Sequence, residues 1–90
     1  MNKSELISAV ADKVGISKKD SEAAVSAVFD AITRSLTQRD KVQIAGFGTF
    51  EVKHRDIRIG RNPATGEDVE IPARWAPVFK AGKTLKDAVN

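Results

Sequence analysis

Apolar residues in the first part of the chain recur at the spacing of amphipathic helices. The first such face is formed by Leu6, Ile7, Val10 and Val14. Asn2 lies three residues before Glu5, which resembles a capping box, and Gly15 is typical of a helix end. The pattern therefore predicts a first helix that ends at Gly15.

A second, longer apolar stripe follows Ser17, which with Asp20 repeats the capping pattern. The stripe consists of Val25, Val28, Phe29, Ile32 and Leu36. A helix from about residue 18 to 38 is about 31 Å long, and the stripe runs along its whole length. Because one short helix cannot cover such a stripe, the pattern points to a partner subunit.

Alternation with period two begins after residue 40 and predicts two strands. Val42 and Ile44 alternate with polar residues in the first, and Phe50 and Val52 continue the alternation in the second. The Gly46-Phe47-Gly48 segment between them is a turn. The second strand leads directly into the next segment.

The segment from residue 55 to 71 predicts a β-hairpin. Residues 62–66, Asn-Pro-Ala-Thr-Gly, form a dense turn signal. β-Branched residues recur at period two before the turn, at Ile57 and Ile59, and after it, at Val69 and Ile71. A limb from Lys53 to Asn62 would extend about 33 Å, too far for so small a domain to cover. We therefore expect an arm that projects from the body.

The return limb lies between Pro72 and Pro77, so it is predicted to be an edge strand rather than a central one. Phe79 is a candidate core residue. Gly82 precedes a short amphipathic helix from Lys83 to Val89.

Chain length sets the size of the core. Ninety residues make one domain, and removing the arm leaves a body of roughly 65 residues, whose stability is marginal. The chain has no cysteine to form disulfides. Self-association is the remaining source of burial, so we expect a homodimer.

The net charge is +3, and its distribution is uneven. Residues 1–40 carry six basic and six acidic side chains, whereas residues 53–76 carry five Lys/Arg against four Asp/Glu, with the bases early and the acids late. Residues 77–90 add three lysines against one aspartate. This distribution suits a polyanionic partner.

Catalytic and metal chemistry finds little support in the sequence. His54 is the only histidine and there is no cysteine, so neither a metal site nor a nucleophile–base pair can be assembled. We expect no enzyme activity, no catalytic residue, no metal and no cofactor. The first twenty residues hold no apolar signal region and no run of 18 apolar residues occurs, which predicts a cytoplasmic protein without a membrane span.

Two motifs at a fixed spacing carry a family resemblance: Gly-Phe-Gly-Thr-Phe at residues 46–50, and Gly-Arg-Asn-Pro-Ala-Thr-Gly at residues 60–66. With Arg55 and Arg58, the chain resembles the bacterial histone-like HU and integration host factor family over its whole length, more closely the HU branch. The resemblance implies an α+β fold in an intertwined dimer. It comprises an N-terminal helical hairpin, a three-stranded antiparallel sheet extended into a β-ribbon arm, and a short C-terminal helix.

The resemblance also implies double-stranded DNA as partner, with bent, nicked or distorted forms favoured, and a nucleoid-associated protein that bends DNA and contributes to chromosome compaction. The partner subunit is a second copy or a paralogue. The arms would lie in the minor groove, an assignment that comes from the family alone, since a two-stranded ribbon fits the major groove at least as well.

The expected segments are a helical dimerisation body and saddle at residues 1–52, the arm at 53–76, and the strand end and helix at 77–90. The expected DNA-binding residues are Lys3, Lys53, Arg55, Arg58, Arg61, Asn62, Pro63, Thr65, Arg74, Lys80, Lys83 and Lys86. The expected dimer core is Val25, Phe29, Ile32, Leu36, Ile44, Phe47, Phe50 and Phe79.

Several residues depart from the family pattern, namely Asp56, Glu67, Asp68 and Trp75. The three acids add local repulsion against phosphate. Trp75 is interpreted as a packing residue, with stacking on a partner as the alternative.

Plainer interpretations remain beside these. The arm arginines could keep an exposed ribbon soluble, and Pro63 could be an ordinary turn residue rather than a wedge between base pairs. Three other functions are alternatives: a sequence-preferring host-factor-like subunit, a helix-turn-helix repressor built on residues 1–38, and a module whose arm adds to a partner's sheet edge. The second helix is too apolar, and too poor in base-reading side chains, to serve as a recognition helix.

Overall fold

The computed structural model describes residues 1–90. Its contacts divide the chain into two compact units, Met1–Arg34 and Ser35–Asn90. The element order is two helices, five strands and a final helix. No helix is long and apolar enough to cross a membrane.

Helix α1, Lys3–Val14, begins and ends as its sequence predicts. The Asn2 side chain accepts a hydrogen bond from the Glu5 N–H at 2.8 Å, which satisfies one of the free donors of the first turn. Gly15 adopts a left-handed conformation (φ 80°), and its N–H donates to the Ala11 carbonyl, which closes the last turn.

Helix α2, Lys18–Thr37, is joined to α1 within the first unit by a buried hydroxyl. Ser17 caps its first turn, accepting from the Asp20 N–H at 3.1 Å. Ser21 is fully buried and donates to the Ile7 carbonyl at 2.7 Å. Small residues at this crossing let the two backbones approach, and Ala11 and Val25 are buried beside it.

Three strands of the second unit form an antiparallel sheet in the order β1-β2-β5. They are β1, Val42–Ile44, β2, Gly48–Arg55, and β5, Arg74–Ala81. The proline-containing return strand β5 pairs with β2 alone, so it is an edge strand, as predicted. Gly48 begins β2 at a close approach, because a Cβ there would lie 2.6 Å from the Phe79 ring and the Lys80 carbonyl.

The arm carries its own two-stranded ladder, β3, Arg58–Arg61, and β4, Asp68–Ile71. The predicted hairpin is confirmed, but its limbs are not continuous. Pairing of β2 with β5 ends at Arg55 opposite Arg74, and pairing of β3 with β4 begins at Arg58 opposite Ile71. Two residues on each limb, 56–57 and 72–73, therefore lie outside both ladders.

The second unit ends in α3, Lys83–Val89, which follows an extended Gly82. The Gly82 N–H donates to the Phe47 carbonyl at 2.7 Å. This bond ties the start of α3 to the β1–β2 turn.

Little apolar surface is buried within one chain. Ala11 and Val25 are the only buried hydrophobic residues. Phe29, Phe47 and Phe79 keep 45%, 44% and 40% of their surface exposed. A chain of this size with two buried apolar side chains lacks the core that ordinary stability requires.

Candidate nucleic-acid interface

Alternation along the three-stranded sheet sorts its side chains onto two chemically different faces. Residues paired across antiparallel strands point to the same side, and the register places Arg55 opposite Arg74 and Lys53 opposite Ala76. One side, here called the basic face, carries Lys41, Lys53, Arg55, Arg74 and Lys80. Four of these five cations are predicted DNA-binding residues.

The opposite, apolar face carries Val42, Ile44, Phe50, Val52, Pro77 and Phe79. The Phe79 ring lies 4.7 Å from the Phe50 ring and 5.4 Å from the Phe47 ring between centroids. These spacings are typical of tilted aromatic pairs. The sheet thus presents cations to one side and aromatic rings to the other.

One carboxylate, Glu51, stands in the middle of the basic face. Its oxygens lie 2.9 Å from Lys80 Nζ and 3.9 Å from the Nζ atoms of Lys41 and Lys53. The hydrogen bond from Lys80, reinforced by the charges of all three lysines, lowers the pKa of Glu51, and the same hydrogen bond raises the pKa of Lys80. Glu51 gathers three lysines at one point.

Sequence reasoning missed Glu51 and Lys41 as parts of this face. A signal for Glu51 was present, because Glu51 and Lys53 are two residues apart in a strand and so share a side. Its contacts with Lys80 and Lys41 depend on strand register, which the sequence pattern does not fix.

The arm arginines occupy both sides of the ribbon. Arg58 shares a side with Ile71, its paired residue, and Arg61 lies opposite Asp68. Asp68 therefore places a carboxylate beside the arginine nearest the tip. Asp68, one of the acids that depart from the family pattern, thus lies opposite the predicted DNA-binding residue Arg61.

The gap between the two ladders is lined by charged side chains. An open recess of about 570 Å³ lies there, bordered by His54, Arg55, Asp56, Arg58, Ile71 and Arg74. Three of its six residues are arginines, supplied by β2, β3 and β5. The fold thus brings together arginines that are up to 19 positions apart in sequence.

The arm tip is a closed loop held by its own backbone. The Asn62 N–H donates to the Glu67 carbonyl at 2.8 Å, and the Gly66 N–H donates to the Asn62 carbonyl at 2.7 Å. The Asn62 side chain accepts from the Ala64 N–H, and Gly66 has a φ of 74°, which glycine adopts without strain. Pro63 is exposed within this loop.

Two predicted tip residues therefore have structural roles. Asn62 is half-buried and shapes the loop. Thr65 accepts from the Glu67 N–H at 3.3 Å.

Trp75 contacts two side chains at the base of the arm. The Arg39 guanidinium lies 4.1 Å from the ring centroid, in cation–π geometry, and the His54 ring meets Trp75 edge-on at 5.1 Å. Trp75 stays 48% exposed. The packing interpretation fits these contacts, and Arg39 was missed because it lies 36 residues away in sequence.

The remaining predicted DNA-binding residues are lysines on helices. Lys3 begins α1 and Lys83 begins α3. Lys83 is 3.9 Å from Asp87, one turn further along α3. Lys83 and Lys86 are both exposed on this helix.

Comparison with known proteins places the chain in a family. The family described as "Bacterial DNA-binding protein" matches residues 1–90, the whole chain. The chain belongs to this family. The match supports the resemblance drawn from the two motifs at residues 46–50 and 60–66.

Relatives within the family match from end to end. A protein from Geobacillus stearothermophilus named DNA-binding protein HU is 63% identical over 90 residues, and the match covers 100% of both chains. DNA-binding protein HU 1 from Bacillus subtilis is 58% identical over 89 residues, 99% of this chain and 97% of its own.

A solved structure supports the fold directly. The Anabaena HU–DNA cocrystal structure superposes with a TM-score of 0.93 at 45% identity, and covers 99% of this chain and 97% of that one. The predicted arrangement of helical hairpin, three-stranded sheet, ribbon and final helix is confirmed.

Proposed function

We propose that the protein is a histone-like DNA-binding protein that binds duplex DNA with little sequence preference, bends it and stabilises the bend. One observation carries the proposal. The four Lys and Arg residues of the three-stranded sheet, together with Lys41 just before β1, lie on one face, and that face leads into an arm that carries two more arginines, Arg58 and Arg61. Lysine and arginine arranged in this way suit a phosphate backbone, whose contacts carry no sequence information.

Arginine and lysine have different tasks on this surface. Arginines line the arm and its base, where the guanidinium fork can bond phosphate bidentately or enter a narrow minor groove. Lysines gather around Glu51 in the middle of the basic face. They act as point charges that attract the duplex as a whole.

The functional unit is a homodimer, and a paralogue of similar surface is the alternative partner. The exposed aromatic rings of Phe29, Phe47 and Phe79 support this proposal. A further apolar recess of about 260 Å³ in the first unit is lined by residues of both helices, Leu6, Val10, Ala24, Val25, Val28 and Phe29. A second subunit would cover these surfaces and supply the missing core.

Bending is proposed to depend on Pro63. The ring is rigid, apolar and lacks an N–H, and the Asn62–Glu67 loop holds it at the end of the arm. These properties suit a wedge between base pairs of the minor groove, where the cost of unstacking is offset by wider contact with bent DNA. A dimer has two arms and would make two kinks.

A sequence-preferring, host-factor-like subunit is the second candidate. The relatives from Geobacillus stearothermophilus and Bacillus subtilis are both named HU, which favours the branch with little sequence preference. We further propose that the protein acts in the cytoplasm on the nucleoid and contributes to chromosome compaction.

Binding to a panel of nucleic acids of equal length tests the proposal. The panel comprises linear, nicked and four-way duplexes of unrelated sequence, single strands and RNA, each titrated with salt. If a dimer neutralises about 6–10 phosphates, duplex affinity falls by roughly 10³–10⁵ between 50 and 200 mM salt. Nicked duplex is expected to bind more tightly than intact duplex because it kinks at lower cost.

Two outcomes would contradict the proposal. Affinity that varies strongly among intact duplexes of different sequence would favour the host-factor candidate. Affinity that is insensitive to salt would remove phosphate binding altogether and favour strand addition to a protein partner.

A further inference from the structure

The arm is joined to the sheet through a segment that neither ladder holds. Asp56 and Ile57 on one limb, and residues 72–73 on the other, have no paired partner across the ribbon. Backbone hydrogen bonds between paired strands fix the orientation of one strand segment relative to the next. The orientation of the tip hairpin therefore depends on side chains around this gap.

A chain of three side-chain contacts leads from the sheet into the gap. The Arg39 guanidinium covers the Trp75 ring at 4.1 Å, and Trp75 meets the His54 ring edge-on at 5.1 Å. His54 Nδ1 then lies 3.2 Å from Asp56 Oδ1. The imidazole is held by aromatic packing on one side and reaches a residue of the gap on the other.

Charges of both signs lie around His54 at the base of the arm. Asp56 is the nearest, and it is the only carboxylate of the recess at the arm base. Arg55, Arg58 and Arg74 border the same recess. Arg39 lies across the Trp75 ring.

We propose that His54 is a positioning residue of the arm and acts through Asp56. Histidine is the side chain whose ordinary charge change falls between pH 5 and 8. Protonation makes the His54–Asp56 contact an ion pair, which is a shorter and stronger bond than the neutral contact. The pair restrains Asp56, on one limb of the gap, and neutralises the carboxylate that would meet phosphate.

The consequence for DNA rests on the proposed function. A restrained arm pays less conformational entropy when it binds, and a neutralised Asp56 no longer repels phosphate. The contact is exposed, with Asp56 95% accessible, so its effect falls on the arm and hardly on overall stability. Binding therefore strengthens as the pH falls from 8 to 5.5.

Mobility of the arm tip in the DNA-free protein is the first test. The chain has no cysteine, so Ala64→Cys in the full-length protein accepts one nitroxide at the tip. Spectra are recorded from pH 8 to pH 5.5 at constant ionic strength. We expect the label to become less mobile as the pH falls, and His54→Gln, which cannot titrate in this range, to abolish the change.

Matched acidic variants separate the ion pair from a general charge effect. Asp56→Asn removes the partner of His54, whereas Asp68→Asn removes a carboxylate elsewhere on the arm and leaves the His54 contact intact. The pH-dependent loss of mobility is expected to disappear in Asp56→Asn and to persist in Asp68→Asn. An equal response in both variants, or none in the parent, would overturn the proposal.

Duplex affinity of the unlabelled parent and His54→Gln is the second test. For each arm of the dimer that engages the duplex, we expect the parent to bind about 1.5- to 5-fold more tightly at pH 5.5 than at pH 8, the range for one exposed ion pair, and His54→Gln to show no such change. A parent affinity that does not vary with pH overturns the link to DNA. Absence of duplex binding at pH 8 overturns the proposed function instead.

Discussion

The lysines around Glu51 favour the charged form of its carboxyl group. Three lysines surround it, and the hydrogen bond from Lys80 is the main reason that its pKa is lowered. A carboxyl with a lowered pKa stabilises the fold above its unfolded value, about 4.3 for glutamate, and this contribution is lost as the pH falls through the folded value.

Replacing Glu51 with glutamine tests this ion cluster. At pH 7 we expect Glu51→Gln to unfold at lower denaturant concentration than the parent, and we expect the difference to shrink as the pH falls below about 4.3, because the parent carboxyl then takes up a proton. The pKa of Lys80 is raised by Glu51. The stabilisation by this ion pair is therefore also lost at high pH, when Lys80 loses its proton above about pH 10.4. A difference that is constant from pH 3 to 7 would contradict the assignment.

Pro63 gives a prediction about DNA shape. Pro63→Ala keeps the arm arginines, so we expect initial attachment to survive while bending decreases. Energy transfer between dyes at the ends of a short duplex measures the bend at saturation. The variant is also expected to lose most of the preference for nicked over intact DNA. If it bends intact duplex as sharply as the parent, the proline serves only the turn.

At the scale of elements, the two helices of the first unit are joined by one buried hydroxyl. Ser21 is fully buried and bonds the Ile7 carbonyl. Ser21→Ala leaves that carbonyl without its side-chain donor, so we expect a loss of about 1–3 kcal/mol in the free energy of unfolding. Ser26→Ala, half-buried on the same helix, is the control and should cost clearly less.

The elements themselves were largely predictable, because their signals are local. Caps at Asn2 and Gly15, the turn at residues 46–48 and the edge position of the proline strand all follow from residues a few positions apart. Each is governed by backbone conformation or a missing N–H.

The parts that could not be predicted depend on register. Ile59 pairs with Glu70 and so faces away from Val69 and Ile71, although all three share the period-two pattern. The Glu51 cluster and the Arg39–Trp75 stack need the pairing of distant strands and loops. One shift in register would exchange every side chain between faces, and composition does not specify which register wins.

At the scale of the whole molecule, stability is expected to depend on protein concentration. With two buried hydrophobic residues per chain, folding and association should be one process. The midpoint of thermal unfolding is expected to rise as the protein is concentrated. A folded monomer in sedimentation at low micromolar concentration would contradict this account.

Phe47 tests the interface itself. Its ring is 44% exposed in the single chain and packs only against Phe79 among the aromatic residues. If the partner subunit covers it, Phe47→Ala costs on the order of 3–5 kcal/mol, as for other large buried aromatics. The variant is expected to dissociate at concentrations at which the parent remains dimeric.

The central claim is that the basic face and the arm form one phosphate-binding surface, and the salt dependence of duplex binding tests it most directly. The variant Arg55→Gln/Arg74→Gln removes two cations of that face, and Lys13→Gln/Lys19→Gln removes two exposed cations of the helical unit. Each lost phosphate contact lowers the slope of log affinity against log salt by about 0.9. We predict a smaller slope for the first variant and the parent slope for the second. Equal slopes in the parent and the Arg55/Arg74 variant would contradict the account.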